Sequence, residues 1–322
     1  MSVKRAISIR IIGVLILVWL LSRVDLKGIY GILSYSRWIY IWGALLCLLL
    51  HVLLKFMRYQ YILVQQSVRQ PFLKTFQISM AAIYLSFITP GRVGELAKAF
   101  FIHQDQGVAV NRLLAGSILD RLYDVYILIF TALVGIGFIV EPSNSGSRTL
   151  IITLVGIALA PLLLFIPVVR HLCLTFISWL PGKIKKASGF SDQLNGFLQE
   201  LDQLMSWRLL WGLGWSVFAY GIFFYACSLM GLALGISLPY FKMALIVAWV
   251  NIASFLPISF AGIGTRDACL VYFFAQEGLS NETALAFSAV MFALTYLFFG
   301  IIGFFAFVTL KRKGDPRQEL KG

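Results

Sequence analysis

Acidic side chains are scarce in this sequence. Asp and Glu number 14 in 322 residues against 27 Lys and Arg, and charged residues of both signs make up only 13%, about half the share usual for soluble domains. A soluble chain of this size cannot hide that much apolar surface in its own interior. Histidine and cysteine are equally sparse. His51 and His171 have no companions, His103 stands beside Gln104 and Asp105 where the chain turns polar and reads as interfacial, and Cys47, Cys173, Cys227 and Cys269 fall in or beside apolar runs without ligand-like spacing. Neither a metal site nor a disulfide framework is indicated, and no cofactor is expected. Walker A and HExxH patterns are missing, and Gly262-x-Gly264 lacks the strand and helix setting of a nucleotide loop. ATP-driven transport within this chain is therefore not expected, nor is a recognisable hydrolase arrangement.

Apolar residues make up 60% of the chain, with a mean hydropathy of +0.86. Apolar runs lie near residues 7–22, 37–56, 112–139, 149–169, 207–231 and 283–309, each long enough or nearly so for a hydrocarbon core of about 30 Å. The fold class expected is all-α, a polytopic membrane helix bundle forming one membrane domain over 1–322. The first run follows Lys4, Arg5 and Arg10 but has no small-x-small cleavage site after it, so it reads as a retained helix. The formal net charge is +13, yet its distribution argues against nucleic acid. Basic residues cluster between runs, at Lys55, Arg58, Arg69 and Lys74, at Arg170, Lys183, Lys185 and Lys186, and at Lys311, Arg312 and Lys313. Such clusters are positive-inside signals and suit anionic headgroups. They place both termini on the cytoplasmic side of a cell membrane.

Following that orientation through the runs, residues 72–111 begin and end inside, and residues 239–277 begin and end outside. Each of these segments holds two short apolar pieces around a helix-breaking centre, marked by Pro90, Gly91 and Gly94 in the first and by Pro257, Gly262 and Gly264 in the second. A re-entrant hairpin or a pair of short tilted spans meets the parity condition, and the short first arms favour the hairpin. About six full spans plus two broken hairpins result. "SFITPGRVGE" and "SFLPISFAGIGTRD" repeat one pattern, Ser-Phe, proline, glycines, Arg and an acid. With opposite orientations, residues 37–139 and 207–309 read as the halves of an inverted-topology pseudo-repeat. Residues 170–206 form the connector, within which 183–206 has the periodicity of an interfacial amphipathic helix.

Non-helical backbone at membrane depth must face protein or a polar cavity, and its free N–H groups favour an anion. Arg92 is the first candidate for substrate contact, because a guanidinium matches phosphate oxygens in a fixed fork. Glu95 and Lys98 follow at spacings that place all three on one side of a short helix, with a structural Arg92–Glu95 pair as the alternative. Arg266 and Asp267 repeat the chemistry in the second half. Being adjacent, they are expected to take different partners, and Asp267 has the alternative role of acceptor at a helix start. In "GSILDRLYD", Asp120 and Asp124 share a helix face with Arg121 beside them. These acids are expected to meet Arg92 or Arg266 in the empty site. The alternative is a hydrated turn near the interface.

"TPGRVGELAKAFFI", "GSILDRLYD" and "LPISFAGIGTRDACLVYFF", in that order among apolar segments, resemble the flippase-like integral membrane family that includes the transmembrane region of lysylphosphatidylglycerol synthase. The resemblance covers roughly residues 8–310. It implies transport rather than enzymatic activity: movement of a phosphate-bearing or aminoacylated lipid, either an aminoacyl phospholipid or a polyprenyl-phosphate-linked sugar, across the cytoplasmic membrane. The partners it implies are that anionic lipid and an envelope-lipid biosynthetic enzyme. Arg92, Glu95, Asp120, Arg121, Arg266 and Asp267 fall in the family's motifs. The residues by themselves also admit an ion- or proton-coupled carrier of a small soluble anion, or a membrane-embedded transferase.

Overall fold

The computed structural model describes residues 26–139, 199–200, 210–255 and 262–313. The expected runs at 7–22 and 149–169, most of the 170–206 connector, and Pro257 lie outside the described residues. All regular structure among the described residues is helical: α1 (Leu26–Ser34), α2 (Trp38–Gln65), α3 (Phe72–Ile88), α4 (Ala97–Gln106), α5 (Val110–Ile139), α6 (Leu210–Ala233), α7 (Tyr240–Phe255), α8 (Thr265–Gln276), α9 (Asn281–Phe292) and α10 (Phe298–Lys313). A tight 3-10 segment, Pro90–Leu96, stands between α3 and α4, and one π-helical stretch, Ala293–Leu297, joins α9 to α10.

Three helical stretches among the described residues are long and apolar enough to cross a membrane: Trp38–Gln65, Leu210–Ala233 and Asn281–Leu310. The shortest, at 24 residues, is about 36 Å long, which exceeds the hydrocarbon thickness. On α2, Ile39, Trp42, Leu46, Leu49, Leu53 and Met57 recur at helical spacing and are all exposed. In water that stripe would be an aggregation site; in a bilayer it is the lipid contact. The chain is an all-α polytopic membrane bundle. One expectation is corrected: the helix expected to end near residue 56 continues to Gln65, so Lys55 and Arg58 are helical rather than in a loop.

The chain divides into two compact units. The first comprises Met1–Leu53, Phe76–Ala97 and Ala219–Gly322, the second Leu54–Thr75 and Lys98–Phe218. In the first unit α7 packs on α8, α8 on α9, α9 on α1, and α7 on the Pro90–Leu96 segment. A hydrogen bond from Gln77 Nε2 to Thr309 Oγ1 (2.7 Å) and an edge contact of the Tyr84 and Phe304 rings join α3 to α10. The second unit has a small core of Ile62, Ala115, Leu119 and Tyr123, with Tyr61 and Leu213 against it.

In the first unit the chain breaks after α3 at residues 90–94, and of the second expected break Gly262 and Gly264 lie among the described residues. Thr89, ahead of proline, is extended (φ −95°, ψ 141°), as the proline ring requires. Gly91 and Arg92 then adopt left-handed backbone, φ 62° and 57°. The turn closes back on α3: the Gly94 N–H donates to Thr89 Oγ1 (2.7 Å), and a Cβ at Gly94 would stand 2.4 Å from the carbonyl carbon and oxygen of Leu85. Only glycine fits there. The second break delivers α8 through Gly262 (φ 79°) and Gly264 (φ 86°). A Cβ at Gly262 would lie 2.5 Å from Ser254 Oγ, so this turn also demands glycine.

Candidate functional site

Each break places an arginine, and these two arginines, both in the first unit, meet one ring. The Arg92 guanidinium carbon lies 5.1 Å from the centre of the Phe255 ring and 5.3 Å from that of Tyr296, and its Nη2 donates to the Tyr296 hydroxyl. The Arg266 guanidinium carbon lies 5.5 Å from the Tyr296 centre and 5.4 Å from that of Phe292. Phe292 and Tyr296 are themselves stacked, 5.5 Å apart at 15°. Arginine over an aromatic face is held by the ring quadrupole, which fixes the cation without neutralising it. No carboxylate pairs with Arg92 among the described residues, and its Nε is buried without a hydrogen-bond partner.

Tyr296 sits in the π-helical stretch. The Thr295 hydroxyl donates to the Met291 carbonyl at 2.5 Å, a side-chain bond that competes with the backbone ladder there. Such turns break the regular helical register and concentrate at functional sites. No local signal in the sequence marks Tyr296, one of 13 tyrosines in a chain that also has 27 Phe and 8 Trp.

Arg266 and Asp267 were expected to take separate partners. They share one instead: Arg266 Nε and Nη2 donate to Ser288 Oγ at 3.2 and 2.9 Å, Nη2 reaches Asp267 Oδ1 at 3.2 Å, and the Ser288 hydroxyl donates to that same oxygen. Adjacent positions diverge on a helix, but the serine from α9 bridges them. Asp267 Oδ2 also accepts from the Gly264 N–H at 2.8 Å, which is the helix-start role.

The second unit holds a buried ionic cluster. Asp120 and Asp124 do share a face of α5, and both are buried rather than hydrated. Their cations are not those expected from the breaks. Arg58 Nε donates to Asp120 Oδ1 at 2.7 Å, Nη2 to the Asp120 carbonyl and to Asp124 Oδ1 at 2.9 Å each, and Nη1 to Ser216 Oγ at 2.7 Å. Lys98 pairs with Asp120 Oδ2 and stands 3.9 Å from the Tyr59 ring centre. Lys55 reaches Asp124 Oδ2 at 2.7 Å, with Arg121 Nη1 at 3.7 Å from the same oxygen.

Arg92, Glu95 and Lys98 therefore do not form one helical face. The left-handed backbone at Gly91 and Arg92 takes Arg92 out of register and onto the aromatic rings, while Lys98 begins α4 and turns to Asp120. Glu95 is buried in the turn. Arg58, read from the sequence as a cytoplasmic topology signal, is the centre of the ionic cluster.

Residues 5–303 match the family described as the lysylphosphatidylglycerol synthase TM region. The chain belongs to that family. The match contains both breaks, the ionic cluster and Tyr296. A relative described as a UPF0104 membrane protein, from Methanocaldococcus jannaschii, is 18% identical over 98% of either chain. No solved structure matches the chain. As a member of this family the protein is membrane-embedded, and the three motifs that carry the resemblance are those that supply Arg92, the Asp120–Asp124 pair, and Arg266 with Asp267.

Proposed function

We propose that this protein moves an anionic lipid across the cytoplasmic membrane, the headgroup phosphate docking at Arg92 beside Tyr296 while the chains stay in apolar surroundings. One observation carries the reading: a guanidinium in a membrane-embedded chain is held by two rings and the hydroxyl of one of them, with no carboxylate paired to it among the described residues. Ionisable groups at membrane depth are costly and mark substrate paths. A phosphate would replace a single phenol bond with charge-assisted bonds in fork geometry, and would engage the unpartnered Nε. Arg266, on the far partner of the same aromatic stack, is itself paired with Asp267. Beside these groups runs an open apolar groove of about 560 Å³, walled by Tyr84, Phe87, Phe292, Tyr296, Gly300 and Ile301 among others. It suits a hydrocarbon chain and not a hydrated solute.

The lengths of the broken elements support the hairpin reading. α7 has 16 residues and α8 has 12, about 24 and 18 Å, each short of a full crossing. In this reading the hairpins belong to two inverted halves, 37–139 and 207–309, joined by the 170–206 connector, with both termini cytoplasmic and alternating access arising from their relative rocking. The headgroup class spans aminoacyl phospholipids and polyprenyl-phosphate sugars.

The test is flux in reconstituted liposomes bearing labelled aminoacyl, glycero- and polyprenyl-phosphate lipids. Acceleration of at least one, reduced about tenfold or more by Arg92→Gln, is expected; no acceleration of any of them overturns the proposal. The buried cluster around Arg58 favours a second reading, an ion- or proton-coupled carrier of a small soluble anion with Asp120 or Asp124 as the coupling group. Uptake of soluble phosphate that follows an imposed pH gradient would select it.

A further inference from the structure

Arg266 is 3% exposed, and its hydrogen bonds are unevenly spent. Nε and Nη2 are taken by Ser288 and Asp267, whereas Nη1 is buried with no partner. Asp267, whose Oδ1 accepts from Ser288 and Arg266 and whose Oδ2 accepts from the Gly264 N–H, makes no bond to Nη1. The residue borders a cavity of about 380 Å³ whose polar edge also holds its two bonded partners, Asp267 and Ser288, while the other walls among the described residues are apolar: Ile29 and Leu33 of α1, and Leu285, Ala289 and Phe292 of α9. Tyr30, 75% exposed, stands at its side.

We infer that this cavity is a separate binding site for a single-chain anionic amphiphile, its phosphate or carboxylate accepting from Arg266 Nη1 and its chain lying along α1 and α9. The inference refines the transport reading by giving Arg266 a ligand of its own, where the sequence suggested one clamp made with Arg92. A buried donor left unmade costs free energy, so a ligand that supplies an acceptor is favoured. Because Nη1 can only donate, the ligand must bring an acceptor: a quaternary ammonium offers none, and an anionic oxygen accepts more strongly than a hydroxyl. The groove beside Tyr296 shares Phe292 with this cavity as a common wall, so the two are neighbours with different polar ends.

The experiment is saturation binding to the full chain in nanodiscs of zwitterionic lipid. The probes are dodecyl phosphate and dodecanoate, with dodecyltrimethylammonium and dodecanol as same-chain controls. Both anions are expected to bind saturably and the controls not. Arg266→Gln should weaken anion binding about tenfold or more, and Ala289→Trp, which fills the cavity from an exposed position without touching the Arg266 bonds, should weaken it comparably. All of these measurements are made in an Arg92→Gln background, which removes the anion site assigned to the Tyr296 groove. Equal binding of the neutral or cationic probe overturns the inference, as does indifference to Ala289→Trp. Absence of saturable anion binding in that background overturns it too, because the arginines would then serve one site. Failure of lipid flux with cavity binding intact would overturn the transport reading and leave this one standing.

Discussion

Asp120 and Asp124 lie one helical turn apart and are both buried, yet their removal should have unequal cost. Asp120→Asn takes from Lys98, whose side chain is 4% exposed, the one acid paired with it among the described residues, and leaves Arg58, fully buried, with Asp124 as its remaining carboxylate among them. Asp124→Asn instead loosens Lys55 and Arg121, which are 19% and 18% exposed and can recover water or their other contacts, while Arg58 keeps Asp120. Stranding a buried charge costs about 3–5 kcal/mol, whereas pairs with partly hydrated cations fall toward about 1 kcal/mol. We therefore expect Asp120→Asn to destabilise by about 3 kcal/mol or more and Asp124→Asn by roughly half that or less. Adding Lys98→Met to Asp120→Asn removes the stranded ammonium and should return about 1 kcal/mol or more, a coupling typical of contacting residues. Reversible unfolding in mixed micelles, followed by tryptophan fluorescence, measures all three. Equal costs, a reversed order, or no recovery in the double variant would refute this account of the cluster.

At the first break, Gly94→Ala should strongly lower the yield of folded protein in a thermal-melt and gel-filtration assay, because the methyl group has backbone of Leu85 and not a flexible side chain in its way. Arg92→Gly relieves a left-handed arginine worth about 1–2 kcal/mol while losing ring contacts of similar size, so the melting temperature should stay near that of the parent while lipid flux falls; Arg92→Val, branched at Cβ, should melt lower. At the polar end of α4, outside the apolar spans, Asp105 feels burial, which raises its carboxyl, but hydrogen bonds from Lys74 (2.6 Å) and Gln70 (2.9 Å) outweigh it and hold the acid below the usual range. A folded value below the unfolded one, about 3.9, means its stabilisation is present above that pH and is lost as pH falls through the folded value. The stability difference between the parent and Asp105→Asn should therefore shrink on acidification through that window; a constant difference would remove Asp105 from the acid response.

Much of the site's address was legible in the chain. Pro90, Gly91 and Gly94 announced a break because proline lacks a donor and glycine tolerates left-handed backbone, and the structure places the break there. Gly262 and Gly264 did the same for the second. The spacing of Asp120 and Asp124 correctly set them on one face, since that follows from helical period alone. Their partners did not follow. Arg58 stood at the end of an apolar run near Arg69 and Lys74, where it looked like any positive-inside residue, and nothing local distinguishes a charge at an interface from one buried by acids 62 and 66 positions away.

Helicity, membrane residence and the positions of the two breaks were decided by the sequence, because each depends on composition or on residues within a turn or two of one another. Asp267 kept its local Gly264 N–H, but the partners of Arg58, Lys98 and Arg92 were decided only by tertiary structure. A guanidinium satisfies itself with whichever carboxylate, hydroxyl or ring the packed helices bring within reach, so Arg92 came to Tyr296 across 204 residues for reasons that no local pattern contains.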